Sequence, residues 1–189
     1  NTVVLKASEI TPNVHELLSR TLNDAGIDNG ALTLVTNPPA DAARVVEALI
    51  GHPAIRRVNF TGSTRIGRLV AEVAARHLKP VLLELGGKAP LLVLDDADLD
   101  EAVKAASFSA FMNQGQICMS TERMVVDDRV ADQFVERIAR RASGLLAGDP
   151  HLTNAALGPV VGHDAIQRID GLVKDAVAKG ARVIAGGRI

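Results

Sequence analysis

The sequence predicts an α/β fold with parallel strands, and three observations carry that expectation. Short β-branched runs such as Thr2–Lys6 and Leu32–Val35 alternate with longer segments of helical period. Glycine and proline turns such as Asn37-Pro38-Pro39 and Gly148-Asp149-Pro150 separate them. The apolar share of 47% and charged share of 23% are those of a globular chain that buries a core.

Taken in order, Thr2–Lys6 reads as a strand. Thr11 and Pro12 then offer an N-cap and a first-position proline for a helix that carries Val14, Leu17, Leu18 and Leu22 on one face. Leu32–Val35 is a second strand, and Ala42 to Leu49 a second helix closing at Gly51. Arg57–Phe60 is a third strand, and Thr61-Gly62-Ser63 a tight turn into a helix with Ile66, Leu69, Val70 and Val73. Pro80–Leu85 and Pro90–Leu94 are apolar strands parted by Gly86-Gly87. Asp98 caps a helix reaching about Met112, with Val103, Ala106 and Ala110 inward. A strand at Met124–Val126, helices over about Val130–Leu146 and Ala165–Ala178, and a strand at Arg182–Ala185 complete the reading. A change of role is expected near Gly86-Gly87, which gives segments 1–86 and 87–189.

Composition excludes several functions. A net charge of −1 gives no electrostatic footing for nucleic acid or an anionic membrane, and the absence of Tyr and Trp leaves few stacking platforms. No run approaches the roughly 18 apolar residues of a membrane span. One cysteine rules out a disulfide framework and suits a reducing cytoplasm. The five histidines show no metal-ligand spacing, so no metal site is expected. Both ends fall at strand-like runs, so the chain reads as an internal piece of a longer protein.

Three segments carry candidate chemistry. Phe60-Thr-Gly-Ser63 is a strand end, a glycine and a helix start, where free backbone N–H groups suit a phosphate. The same pattern also describes an ordinary structural turn. Glu84-Leu-Gly-Gly-Lys88 places a carboxylate at the end of an apolar strand, where partial desolvation would make it a general base. It equally describes a solvated glutamate, and Lys88 either pairs with a carboxylate or faces water. Asn113-Gln-Gly-Gln-Ile-Cys118 brings a glycine-containing loop to the only thiol. A lone cysteine is a nucleophile or a small buried hydrophobe. As a nucleophile it needs neighbours that favour the thiolate, because a free thiol ionises only near pH 8.5, about.

In this order and spacing, the three segments resemble the aldehyde dehydrogenase superfamily. Lys6-Ala-Ser-Glu9 resembles the family's ribose segment Lys-Pro-Ser-Glu, with Ala7 in place of proline. The wording Gln-Ile-Cys-Met-Ser-Thr-Glu-Arg123 is most similar to the salicylaldehyde, benzaldehyde and vanillin dehydrogenase branch. The resemblance implies an aldehyde-dehydrogenase-like fold, with the end of an NAD-binding domain followed by the start of a thiol-bearing catalytic domain.

It further implies oxidation of an aldehyde, expected to be aromatic, to a carboxylic acid. Cys118 would form a thiohemiacetal and then a thioester, and Glu84 would activate the hydrolytic water. Branches that pass the acyl group to coenzyme A generally lack this glutamate. Lys6, Ser8 and Glu9 would hold the adenosine ribose, with NAD preferred over NADP. Gly62 and Ser63 would meet the pyrophosphate, Thr61, Leu85 and Gly86 the nicotinamide, and Ile66 the adenine. The longer protein would be a homo-oligomer. The isolated 189 residues are expected to turn over little, because an oxyanion-hole asparagine and a second ribose-binding segment lie elsewhere in the family. The competing reading is a noncatalytic nucleotide-binding or assembly module of the same fold. A thiol peroxidase using Cys118 alone explains neither Glu84 nor the nucleotide-like segments.

Overall fold

A computed structural model of the chain describes residues 1–28 and 30–187. The chain divides into two compact units, Asn1–Leu85 and Gly86–Ile189. In the first, β1 (Val3–Lys6) pairs in parallel with β2 (Leu32–Val35), from Val3 opposite Leu32 to Lys6 opposite Val35. The crossover is α1 (Pro12–Asp24), which starts on Pro12, a residue with no N–H to leave unpaired. Thr11 sits at the N-cap position, but its side chain makes no capping hydrogen bond. The apolar face expected for α1 stays uncovered: Val14, Leu17, Leu18 and Leu22 are all exposed, and the buried residue is Ser19. Two strands of four residues each offer too little surface to cover a helix of 13.

A short 3-10 turn, Pro39–Asp41, leads into α2 (Ala42–Gly51). Next, β3 (Val58–Gly62) pairs in parallel with β4 (Val81–Leu85) through α3 (Thr64–Arg76). Ile50, Val70 and Ala74 form the buried core here, flanked by Val58, Phe60, Val81 and Leu83. The turn expected at Thr61-Gly62-Ser63 is shorter than its sequence suggests. Thr61 and Gly62 continue β3 opposite Glu84 and Leu85, because ladder hydrogen bonds to β4 hold them extended. Ser63 alone makes the turn, and its Oγ accepts from the Ile66 N–H at 3.3 Å as the N-cap of α3.

In the second unit, β5 (Ala89–Val93) pairs in parallel with β6 (Thr121–Val126). The register slips between Ala89, opposite Thr121, and Pro90, opposite Arg123. Pro90 has no N–H for the ladder, so Glu122 is left as the unmatched residue of a bulge. The strand β6 starts earlier than the apolar run Met124–Val126 indicates, because pairing extends it through polar residues.

α4 (Leu99–Phe111) lies between these strands in the chain, and α5 (Asp128–Ser143) and α6 (His163–Ala178) come after them. Asp98 caps α4 through the Asp100 and Glu101 N–H groups. Asp127 caps α5 and holds Arg129 with two bonds of 2.9 Å, so its carboxyl is held at about 2. Val93, Val103, Ala106 and Phe134 form the core. Truncating Phe134, which is 1% exposed, to alanine costs about 3–5 kcal/mol. The strand expected at Arg182–Ala185 is absent. These residues find no partner strand among the described residues, and Val183 and Ile184 stay about half exposed. No helix among the described residues is long and apolar enough to cross a membrane.

Candidate active site

At the C-terminal ends of β1 and β2 a polar cluster forms. The Ala7 N–H donates to the Val35 carbonyl at 2.8 Å, one step past the ladder, and Ala7 itself is 2% exposed. The following turn brings Glu9 back over the strand end, where the Lys6 ammonium pairs with Glu9 Oε1 and also donates to the Ala7 carbonyl at 2.9 Å. Both side chains are about four-fifths buried. Ser8 turns inward on its own loop, its Oγ accepting from the Ile10 N–H at 3.3 Å.

Asn37, just past β2, donates from Nδ2 to Glu9 Oε1 at 3.2 Å and to the Pro38 carbonyl at 2.8 Å. The Glu9 carboxyl is held below its ordinary range, chiefly by the hydrogen bond from Lys6 and its own backbone, with Asn37 adding to them against the opposing effect of burial. A carboxylate and an ammonium held side by side at the ends of two parallel strands offer an acceptor and a donor to neighbouring hydroxyls. The sequence places Asn37 in the turn Asn37-Pro38-Pro39. Nothing in its spacing could have linked it to Glu9, 28 residues away.

The β3–β4 ladder sets Thr61 opposite Glu84 and Gly62 opposite Leu85. A Cβ on Gly62 would lie 2.6 Å from the tip of the Phe60 ring, so a side chain there would have to displace that ring. A Cβ on Gly67 would meet Leu85 at 2.7 Å, which shows how closely α3 packs on β4. Ile66 is half-buried against the core beneath them. Glu84 is exposed, so the desolvation expected of it is absent from this chain. The ladder explains why: alternate residues of β4 point to opposite faces, and Leu83 takes the core side.

In the second unit, α4 ends in a loop of unusual backbone. Asn113, Gln114 and Gly115 adopt φ values of 50°, 58° and 70° in succession. Left-handed conformations of this kind are costly for residues with a Cβ, and they cluster where a side chain must be aimed. Cys118 follows in a turn closed by the Ser120 N–H donating to the Ile117 carbonyl at 3.0 Å, and it is exposed. The Gln116 side chain anchors the loop by accepting from the Val161 N–H at 3.1 Å.

Ser120 is 3% exposed, and its Oγ has no partner among the described residues. The Gly87 backbone lies against the Cys118 carbonyl, and Lys88 pairs with the bulged Glu122. Gly86 meets no neighbour at its Cβ position. Met112 and Met119 are exposed. Glu84 belongs to the first unit and Cys118 to the second.

An exposed single thiol in a strained loop, preceded by a Glu-Leu-Gly-Gly strand end, accompanies a match of the aldehyde dehydrogenase family to residues 1–189. The chain belongs to the aldehyde dehydrogenase family. Within that family it is 60% identical to a vanillin dehydrogenase of Pseudomonas fluorescens, over all of this chain and 39% of the relative. It is 51% identical to a salicylaldehyde dehydrogenase of Pseudomonas putida, over 99% of this chain and 39% of the relative.

The same fold is seen in the crystal structure of a salicylaldehyde dehydrogenase from Pseudomonas putida G7 complexed with salicylaldehyde. That match has a TM-score of 0.94 at 51% identity, over 98% of this chain and 39% of the other. The lactaldehyde dehydrogenase from Escherichia coli matches with a TM-score of 0.91 at 38% identity, over 100% of this chain and 39% of the other. The chain thus spans about two-fifths of the length of these aldehyde dehydrogenases. Its α/β fold is theirs.

Proposed function

We propose that this chain carries the nucleophile, the hydrolytic base and part of the cofactor site of an NAD-dependent dehydrogenase that oxidises an aromatic aldehyde to its carboxylic acid. Cys118 carries the reading: it is the only thiol, it is exposed, and three successive left-handed residues aim its loop. The vanillin and salicylaldehyde dehydrogenases among the relatives support an aromatic substrate.

The residues present fit the cofactor. The Lys6–Glu9 pair stands at the ends of two parallel strands, beside a buried Asn37 oxygen that has no partner among the described residues. Lys6 and Glu9 hold the adenosine ribose, with Ser8 shaping their loop. Gly62 and Ser63 receive the pyrophosphate, Ile66 packs by the adenine, and Thr61, Leu85 and Gly86 border the nicotinamide. Residues 1–86 serve the cofactor and 87–189 the thiol chemistry. When bound, NAD supplies the acceptor for the hydride.

In the first step the Cys118 thiolate adds to the aldehyde carbon, forming a C–S bond and placing the negative charge on oxygen. That charge collapses to a carbonyl as the hydrogen leaves with the C–H electron pair as hydride, and the thioester remains on Cys118. Glu84 then takes a proton from water, whose oxygen attacks the thioester carbon. The C–S bond breaks, and the thiolate returns as the carboxylic acid departs. The protein is read as a cytoplasmic homo-oligomer.

The test is Cys118→Ala in the full-length protein, with NADH formation from vanillin or salicylaldehyde followed by absorbance. Turnover is expected to vanish, and an unaffected rate sinks the assignment. Glu84→Gln is expected to leave an acyl group on Cys118, seen as added mass on its peptide. Normal release of acid by that variant removes Glu84 as the base.

A further inference from the structure

We propose that Asn37 is a positioning residue that holds the Glu9 carboxylate for a ribose 2′-hydroxyl and so favours NAD over NADP. The inference rests on the reading of Lys6 and Glu9 as the ribose site, and it adds a residue from a different strand.

The local chain makes Asn37 suited to this task. It follows β2, and Pro38 after it restricts its backbone to extended conformations. Its side chain is therefore presented from a stiff stem. The amide orientation is fixed by its neighbours. Nδ2 lies 3.2 Å from Glu9 Oε1 and 2.8 Å from the Pro38 carbonyl, and both of these are acceptors. Turning the amide over would set oxygen against oxygen.

Glu9 Oε1 thus receives hydrogen bonds from two strand ends, Lys6 at the end of β1 and Asn37 after β2. A glutamate has three rotatable side-chain bonds, and an anchor from one side leaves it room to swing. Held from both sides, it keeps a negative charge where a 2′-phosphate would have to sit, and a hydroxyl can donate to it. Asn37 Oδ1 is buried with no partner among the described residues, which leaves an acceptor in the same cluster.

The experiment is a fluorescence titration of the full-length protein with NADH and, separately, with NADPH. It compares the wild type with Asn37→Ala, Glu9→Ala and the double variant. Loss of one hydrogen bond to a charged acceptor is expected to weaken NADH about threefold to tenfold in Asn37→Ala, with little change for NADPH. In the Glu9→Ala background the same substitution is expected to do nothing further. If Asn37→Ala weakens both nucleotides equally, or has the same effect with and without Glu9, the positioning role is overturned while the ribose site stands. If Glu9→Ala leaves NADH binding intact, the ribose reading fails, and the proposal with it. Should Asn37→Ala lose its circular dichroism, the isosteric Asn37→Asp takes its place in the same cycle, with the same Glu9-dependent loss expected.

Discussion

The strand-end cluster around Glu9 and the loop that bears Cys118 are organised by opposite means. Lys6, Glu9 and Asn37 are fixed by charge and hydrogen bonds on ordinary strand-end backbone, and Lys6 and Glu9 are largely buried. Cys118 stands exposed, and the order around it lies in the main chain: three left-handed residues, a tight turn and the Gln116 anchor. A group that recognises a ligand gains from a rigid polar setting, because each fixed hydrogen bond discriminates between ligands. On the proposed reading, Cys118 must keep its reactive atom free, which suits a thiol aimed through the backbone rather than through bonds to its side chain.

The loop before Cys118 is most sensitive at Gly115. Its φ of 70° and the 3.1 Å approach of a built Cβ to the Ala110 carbonyl make a β-branched side chain strained there. Gly115→Val is expected to misplace the thiol and lower kcat about a hundredfold, with NADH affinity unchanged. Unaltered kcat at an unchanged thiol titre means the loop backbone does not aim Cys118.

Lys6→Met comes next in size. It is expected to weaken NADH about tenfold, yet leave the rate of Cys118 alkylation by iodoacetamide as in the wild type. Because Cys118 is the single cysteine of the chain, its alkylation there is read by peptide mass. A change in alkylation rate means the two regions are coupled.

The smallest effect concerns pH. The Glu9 carboxyl titrates below its ordinary 4.5 in the folded chain. Its stabilisation is therefore fully present above 4.5 and is lost as pH falls through the lower folded value. Lys6→Met removes the main cause, so the stability gap between wild type and variant is expected to narrow below about pH 4. Urea midpoints measured across that range check the sign, and a gap that widens on acidification contradicts it.

The sequence alone made the α/β alternation and most elements legible, because strands and helices leave periods that neighbouring residues spell out. Pro12, Ser63 and Asp98 marked helix starts for local reasons that the structure bears out. The family, too, was legible in Glu84-Leu-Gly-Gly-Lys88 and Asn113–Cys118, which are contiguous motifs. What failed depended on partners. Arg182–Ala185 has the composition of a strand but no neighbour to pair with, and Thr61-Gly62 has the composition of a turn but is held straight by β4.

The link between Asn37 and Glu9, the slip at Pro90 that frees Glu122 for Lys88, and the succession of left-handed residues before Cys118 were decided only in the tertiary structure. The reason is common to all three. Local sequence sets what a segment prefers, whereas pairing across 28 or 34 residues, and the strain a loop will bear, depend on what the rest of the fold brings against it.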